Sequence, residues 1–230
     1  MRCRRFLKVV FTIVVFLAGC TVDSRYLSEK LLWKAKKEHA EIIKKSKGEL
    51  SSDDYDRIIN AYRRVIERVP LERAAAEAGF IIAGIYFIRG DFSRARQELR
   101  NVINNFSSQG SIASEAYFSI GRIFEKEGNW KEARNQYEQI VDLYPLSSLG
   151  LKVPIYILAH YQRNQDSAGE EKAYKWALRS YNATLQEYKG TTLAPVVKDY
   201  IARLHLQKGL TKKALTEWDS IIHDLSLIHI

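Results

Sequence analysis

An internal repeat constrains this sequence more than any other feature. Residues 90–96 (GDFSRAR) and 128–134 (GNWKEAR) resemble each other at an offset of 38. Small residues, aromatics and aliphatic pairs then recur in the same order at offsets of 37 to 44, which gives five copies within residues 26–224. A fixed period of this size is typical of solenoids, in which each repeat buries its apolar surface against its neighbours.

Each copy is predicted to form two helices. In the third copy, Tyr117, Ile120 and Phe124 are spaced to lie on one helical face. The pair Gly128-Asn129 would end that helix, and Pro145 would end the next one. The second apolar face comprises Trp130, Ala133, Tyr137, Ile140, Val141 and Tyr144. No segment alternates with a period of two, so we expect an all-α fold of about five helix pairs.

The third copy resembles the tetratricopeptide repeat (TPR) family. The matching residues are Tyr117, Ile120, Gly121, Phe124, Ala133, Tyr137 and Pro145, and the second copy is aligned through Phe80, Gly84, Phe87, Ala95 and Leu99. The resemblance implies a right-handed TPR-like solenoid in which small residues allow close helix contact. Later copies depart from the pattern: Ala159 and Ala202 replace the glycine, and extra residues are expected in the turn at 162–170.

The resemblance also implies a binding groove. In TPR proteins the first helix of each pair lines a concave surface, and the residue after the small position points into it. The groove positions predicted on this basis are Ile81, Ile85, Phe118, Arg122, Tyr156, His160, Arg163, Asp199 and Arg203. Arginines grip carboxylates and aromatics supply rigid contact area, so an extended peptide with an acidic or carboxylate end is the expected ligand. The alternative is that these charges form a solvated face.

The N-terminus has the pattern of a secretory signal. Four basic residues precede the apolar run Val9–Ala18, which is too short to cross a bilayer. The run ends Leu17-Ala18-Gly19-Cys20, which resembles the bacterial lipobox. The resemblance implies a cleaved signal peptide at 1–19, acylation of Cys20 and a tether at 20–25. The alternative is an ordinary signal peptide with a chance cysteine.

A lipobox followed by helix-pair repeats resembles the TPR lipoproteins of the outer-membrane β-barrel assembly machinery. It is also similar to the periplasmic TPR proteins that work beside the Tol-Pal system. Thr21 occupies the position where aspartate retains lipoproteins at the inner membrane, so the resemblance implies the outer membrane, periplasmic face. We therefore expect a scaffold that binds a protein or peptide partner in the periplasm and is anchored to the membrane by its lipid.

The sequence contains none of the common catalytic or cofactor-binding motifs. No metalloprotease, serine-hydrolase, phosphate-loop or dinucleotide pattern occurs, so we expect no enzyme, cofactor, metal or small-molecule substrate. Removing the four signal charges from a net charge of +9 leaves about +5, which gives no argument for nucleic acid. His205 takes the place of a packing aromatic. One enzymatic alternative stays open: some peptidoglycan lytic enzymes carry a helical arm before their catalytic domain.

Two segments have more than one interpretation. The lysine-rich first helix, about residues 26–47, either presents a solvated face or contacts an anionic surface. The final residues 225–230 (LSLIHI) break the repeat and resemble the translation of a sequencing adapter. We interpret them as a non-native tail on a truncated chain, with a natural apolar tail as the alternative.

Overall fold

The structure is a computed structural model that describes the backbone of residues 2–228 and the side chains of residues 24–223. The side chain of Cys20, the predicted signal peptide and the tail at 225–230 lie outside the described side chains, so those assignments stay predictions. Among the described residues, no helix is long and apolar enough to span a membrane.

The described backbone is helical, with short turns and no strand. The helices are α1 Arg2–Lys45, α2 Ser52–Arg68, α3 Arg73–Ile88, α4 Phe92–Phe106, α5 Gly110–Lys126, α6 Trp130–Leu143, α7 Ser148–Arg163, α8 Ser167–Glu187, α9 Ala194–Gln207 and α10 Thr211–Ile228. They form five consecutive pairs joined by short turns, as short connections between neighbouring helices favour. The predicted all-α class and the number of pairs are confirmed.

The chain divides into two compact units, Met1–Ser107 and Ser108–Ile230. In the first unit, α2 contacts α1 and α3, and α3 pairs with α4. Its core includes the fully enclosed side chains of Tyr62, Ile58 and Ile82. The core of this unit is therefore built from the facing apolar sides of α1, α2 and α3.

In the second unit, α5 pairs with α6, α7 with α8, and α9 with α10. The second helix of a pair also packs on the first helix of the following pair, as α6 does on α7 and α8 on α9. Tyr137, Ile157, Leu158 and Leu204 are completely buried in one continuous core. Each apolar face is thus covered by a neighbour, which is the packing that the repeat predicted.

The turns inside four of the pairs share one backbone geometry. The residue that follows the C-cap of the first helix has a positive φ: 76° at Gly90, 74° at Gly128, 55° at Gln165 and 83° at Gly209. Glycine adopts this conformation without strain, whereas Gln165 carries a side chain there. The predicted break at Gly128-Asn129 is confirmed, with the Asn129 side chain capping α6.

The prediction that the fourth copy has a longer turn is wrong. The N-caps of α6 and α8 are Asn129 and Asp166, 37 residues apart, while their C-caps, Tyr144 and Tyr188, are 44 apart. The seven additional residues therefore extend the helix: α8 has 21 residues and α6 has 14. Seven residues make two helical turns, so the insertion keeps the same face of α8 toward the core.

Candidate binding surface on the first helices of the pairs

Three first helices lie side by side in the second unit. Helix α7 contacts α5 on one side and α9 on the other, in addition to its pairing with α8. The side chains that these three helices turn away from the core therefore form one surface. We call this surface the α5–α7–α9 face.

Backbone hydrogen bonds across the turns fix the register of these helices. After each positive-φ residue, an N–H group donates to a carbonyl five residues back, the longer of the two Schellman bonds. These bonds run from Asp91 to Tyr86, Asn129 to Phe124, Asp166 to Tyr161 and Leu210 to His205, at 2.8–3.0 Å. Counting back three residues from each acceptor gives the small position of the repeat as Ala83, Gly121, Leu158 and Ala202, all buried.

The predicted register of α3 is wrong by one residue. Gly84 is exposed and a Cβ there would meet nothing within 4 Å, whereas Ala83 is buried. Ile85 is only 5% exposed and belongs to the core, so it does not line a groove. Ile81 is half-buried and packs against the same core. The physical reason is that residues 80–88 (FIIAGIYFI) are apolar on every face, so hydrophobic spacing cannot set the rotation.

The predicted register of α7 is also wrong by one residue. The small position falls on Leu158, which is completely buried, and the predicted Ala159 is half-buried. Tyr156 and His160, which we expected to point into a groove, are half-buried between neighbouring helices. In α5 and α9 the predicted register is correct at Gly121 and Ala202. Arg122 and Arg203 accordingly follow the small position and are exposed.

Three rings form the centre of the α5–α7–α9 face. The centroids of Phe118 and Tyr137 are 5.3 Å apart, those of Phe118 and Tyr156 are 5.6 Å apart, and those of Tyr137 and Tyr156 are 5.4 Å apart. Tilted and edge-on contacts at these separations are favourable. Tyr137 is the buried member, and Phe118 and Tyr156 are half-buried above it. The ring cluster therefore joins the surface directly to the core.

A carboxylate lies beside these rings. The Tyr156 hydroxyl donates to Glu125, with oxygen–oxygen distances of 2.9 and 2.8 Å, and Arg122 Nε lies 3.5 Å from Glu125 Oε2. Burial raises the pKa of the Tyr156 hydroxyl, and its hydrogen bond to Glu125 adds to the rise. Burial also raises the pKa of Tyr137, with a smaller contribution from the Glu125 charge. Both tyrosines are therefore neutral at physiological pH.

A second cluster, between α6 and α7 beside this face, was not predicted. The Trp130 and His160 rings stack with centroids 3.3 Å apart and planes within 1° of parallel. Trp130 Nε1 and Arg134 each donate to the Tyr161 hydroxyl at 3.0 Å. Burial lowers the pKa of His160, and the charge of Arg163 lowers it further, against the opposing effect of Glu125. The adjacent aromatic residues His160 and Tyr161 are the part of this cluster that the sequence shows. Their contacts with Trp130, the first residue of α6, come from the structure.

The arginines of the face differ in what they contact. Arg203 Nε lies 2.7 Å from Asp199 Oδ2, and this hydrogen bond raises the Arg203 pKa. Trp218 Nε1 donates to the other oxygen of the same carboxylate at 2.9 Å. The Arg163 guanidinium instead lies over the Tyr156 ring, 5.7 Å from its centroid. A ligand carboxylate would thus compete with Glu125 for Arg122 and with Asp199 for Arg203. At Arg163 the group already in contact is the Tyr156 ring, which is uncharged.

The α5–α7–α9 face offers half-buried rings, partly neutralised guanidinium groups and hydroxyls with raised pKa values. Among the described residues, no group of three or more His, Cys, Asp or Glu side chains is arranged to hold a metal ion. His205, which the sequence placed at a packing position, is buried, and its Nδ1 lies 2.9 Å from the Tyr174 hydroxyl.

Residues 115–147 match the family described as tetratricopeptide repeat. No curated protein matches the chain at a significant level. Similar solved structures include BtubC (BKLC) from P. vanneervenii, at 12% identity and a TM-score of 0.43, which covers 88% of this chain and 92% of that one. The MamA protein is similar at 18% identity and a TM-score of 0.37, covering 83% and 91%. These values carry no information about function.

Proposed function

We propose that this TPR-containing protein is a non-catalytic scaffold that binds a protein partner through the α5–α7–α9 face and is anchored by acylated Cys20 to the periplasmic side of the outer membrane. The observation that supports the binding role is the ring cluster of Phe118, Tyr137 and Tyr156. Half-buried rings backed by a rigid core provide contact area at low entropic cost, which is the property of binding hot spots.

The ligand chemistry follows from the groups around the rings. Apolar or aromatic side chains of an extended peptide fit the half-buried Phe118 and Tyr156. A carboxylate on that peptide would bind Arg163, whose guanidinium group lies over the Tyr156 ring. It would also bind Arg122 and Arg203 once these side chains release Glu125 and Asp199. We therefore propose an extended peptide ligand with an acidic or C-terminal carboxylate end.

Site-specific photocrosslinking tests the binding role. A photoreactive amino acid at Phe118 should capture one discrete protein in living cells, and the same group at Arg179, exposed on the second helix α8, should not. Equal capture at both positions would mean that the α5–α7–α9 face is not the binding surface.

Arginine variants test the ligand chemistry once that partner is purified. Arg122→Ala with Arg203→Ala should weaken binding by more than about 1 kcal/mol, and added salt should weaken binding of the wild type. Arg179→Ala is the matched control, because it removes an exposed arginine from a second helix. Unchanged affinity in the double variant, with the helical circular dichroism intact, contradicts a carboxylate contact.

The anchor is tested by labelling. Cys20→Ser removes the thiol that would accept the lipid, so the chain should lose incorporation of a palmitate analogue and leave the membrane fraction. Thr21→Asp should keep the label but move the protein to the inner-membrane fraction of a density gradient. Unchanged labelling of Cys20→Ser excludes acylation, and an unmoved Thr21→Asp protein excludes the sorting proposal.

A role in outer-membrane protein assembly is the finer part of the proposal, and it rests on the lipobox together with the helix-pair repeats. Depletion of the protein should lower the amount of folded β-barrel proteins in the outer membrane. A normal barrel content, with septation defects instead, would favour a role beside the Tol-Pal system.

A further inference from the structure

Helix α1 turns two aromatic side chains away from its core. Leu32, Ala35 and Ile42 are buried against the rest of the first unit, whereas Tyr26 is 64% exposed and Trp33 is 60% exposed. Tyr26, Lys30, Trp33 and Lys37 are spaced at i, i+4, i+7 and i+11, so they share one side of the helix, opposite the core. We call these four residues the outer face of α1. Two exposed rings on one side of a helix are the residue types that favour the interface between water and a membrane.

The lysines of this face are placed differently from their neighbours. Lys30 Nζ lies 5.5 Å from the Tyr26 ring centroid, and Lys37 Nζ lies 5.4 Å from that of Trp33. Among residues 24–223, neither lysine forms an ion pair, while Lys36 on the adjacent side binds Glu77 at 2.6 Å. The outer face therefore combines aromatic rings that have a polar edge with two lysines that form no ion pair among residues 24–223.

The positive charge continues beyond the outer face. A groove of about 450 Å³ lies between α1 and α2, with Leu31, Ala35 and Val65 among the residues of its floor. Its basic residues are Lys30, Lys34, Arg64 and Arg68, and its acidic residue Glu38 is held by Arg64 at 2.7 Å. This side of the first unit thus presents a surplus of positive charge next to exposed aromatic rings.

We propose that the outer face of α1 lies on a bilayer of anionic phospholipids, with Trp33 and Tyr26 at the level of the headgroups and Lys30 and Lys37 on their phosphates. Tryptophan and tyrosine favour the membrane interface, and long lysine side chains reach the headgroups from there. The charge complements an anionic leaflet, which attracts basic segments close to an anchor. The orientation rests on the proposed function, because Tyr26 follows the proposed lipid attachment at Cys20 by six residues.

Lysine acetylation measured by mass spectrometry tests this contact on the full chain. The protein is reconstituted into vesicles of phosphatidylglycerol or of phosphatidylcholine and treated with an acetylating reagent. Lys30 and Lys37 should react about threefold or more slowly in the anionic vesicles, and added salt should restore their rates. Lys175, whose side chain is 68% exposed on α8, is the internal reference. Equal rates in the two kinds of vesicle overturn the proposal.

Two double variants separate this contact from other causes of protection. Tyr26→Ser with Trp33→Ser should remove the protection, and Leu71→Ser with Ile88→Ser, which changes exposed apolar side chains elsewhere in the same unit, should keep it. Protection that grows with protein concentration in detergent without phospholipid would show a protein contact and overturn the proposal. Palmitate labelling of the same sample keeps the tests distinct: a labelled chain without protection contradicts only the outer face, and an unlabelled chain contradicts only the anchor.

Discussion

The third and fourth helix pairs solve the same packing problem with different residues. In the third pair Gly121 lies against Tyr137, and a Cβ on that glycine would be 2.3 Å from Tyr137 Cε1. In the fourth pair the same position is Leu158, completely buried, and the longer helix α8 buries Tyr181, whose hydroxyl donates to the Leu151 carbonyl. In the third pair, Gly121 thus leaves room for the Tyr137 ring against the first helix. The fourth pair fills that room with leucine instead.

The largest expected effect comes from removing the aromatic of the third pair. Tyr137→Ala should lower the free energy of unfolding by about 3–5 kcal/mol, because it leaves a cavity at the centre of the second unit. Denaturant unfolding measures this loss. Tyr137→Phe is the control: it keeps the buried ring and removes only the hydroxyl, so it should cost much less than the alanine variant. An alanine variant as stable as the wild type would show that the third pair does not depend on this ring.

Adding a methyl group to the glycine tests the same contact from the other side. Gly121→Ala should lower the free energy of unfolding by about 1–3 kcal/mol, because the new Cβ overlaps the Tyr137 ring. In a Tyr137→Ala background the same change should cost much less, since the ring is gone. A thermodynamic cycle of the two variants measures this coupling. Additive losses would mean that the two residues do not contact each other.

The turns of the two pairs allow a smaller, matched exchange. Gly128 has a φ of 74° without strain, and Gln165 has a φ of 55° with a side chain. Gln165→Gly should therefore stabilise the fourth pair, and Gly128→Gln should destabilise the third by about 1 kcal/mol. Thermal melts of both variants give the sign of each change. Two changes of the same sign would contradict a shared turn geometry.

The smallest effect concerns pH at the contact between the two pairs, where His160 stacks on Trp130. Burial lowers the His160 pKa below 6.5 in the folded protein, so the unfolded chain binds a proton more readily. The associated stability is fully present above about pH 6.5, the pKa of the unfolded chain, and is lost as the pH falls from there through the lowered pKa of the folded protein. His39 and His205 shift in the same direction, so His160→Gln should remove only part of the dependence. An unchanged melting temperature between pH 7.5 and 5.5 would contradict this reasoning.

The candidate surface shows how much of a helix's rotation can be predicted from the spacing of its apolar residues. The spacing gave the observed register of α5 at Gly121, because α5 has distinct apolar and polar faces and Gly128 fixes its end. It misplaced Ile85 in α3 and Ala159 in α7, where apolar residues occupy every side of the helix. It also indicated that Arg122 and Arg203 are exposed, but not that Glu125 and Asp199 already contact them.

The sequence by itself determined the all-α class, the five helix pairs and the turn at Gly128-Asn129. These depend on local terms: helical spacing, caps such as Asn129, and glycines at positive φ, which act within a few residues of the chain. Only the tertiary structure decided the rotation of α3 and α7, the stack of Trp130 on His160 and the lengthening of α8. Those features depend on contacts between residues far apart in the chain, where close packing admits one arrangement among several that the local pattern allows.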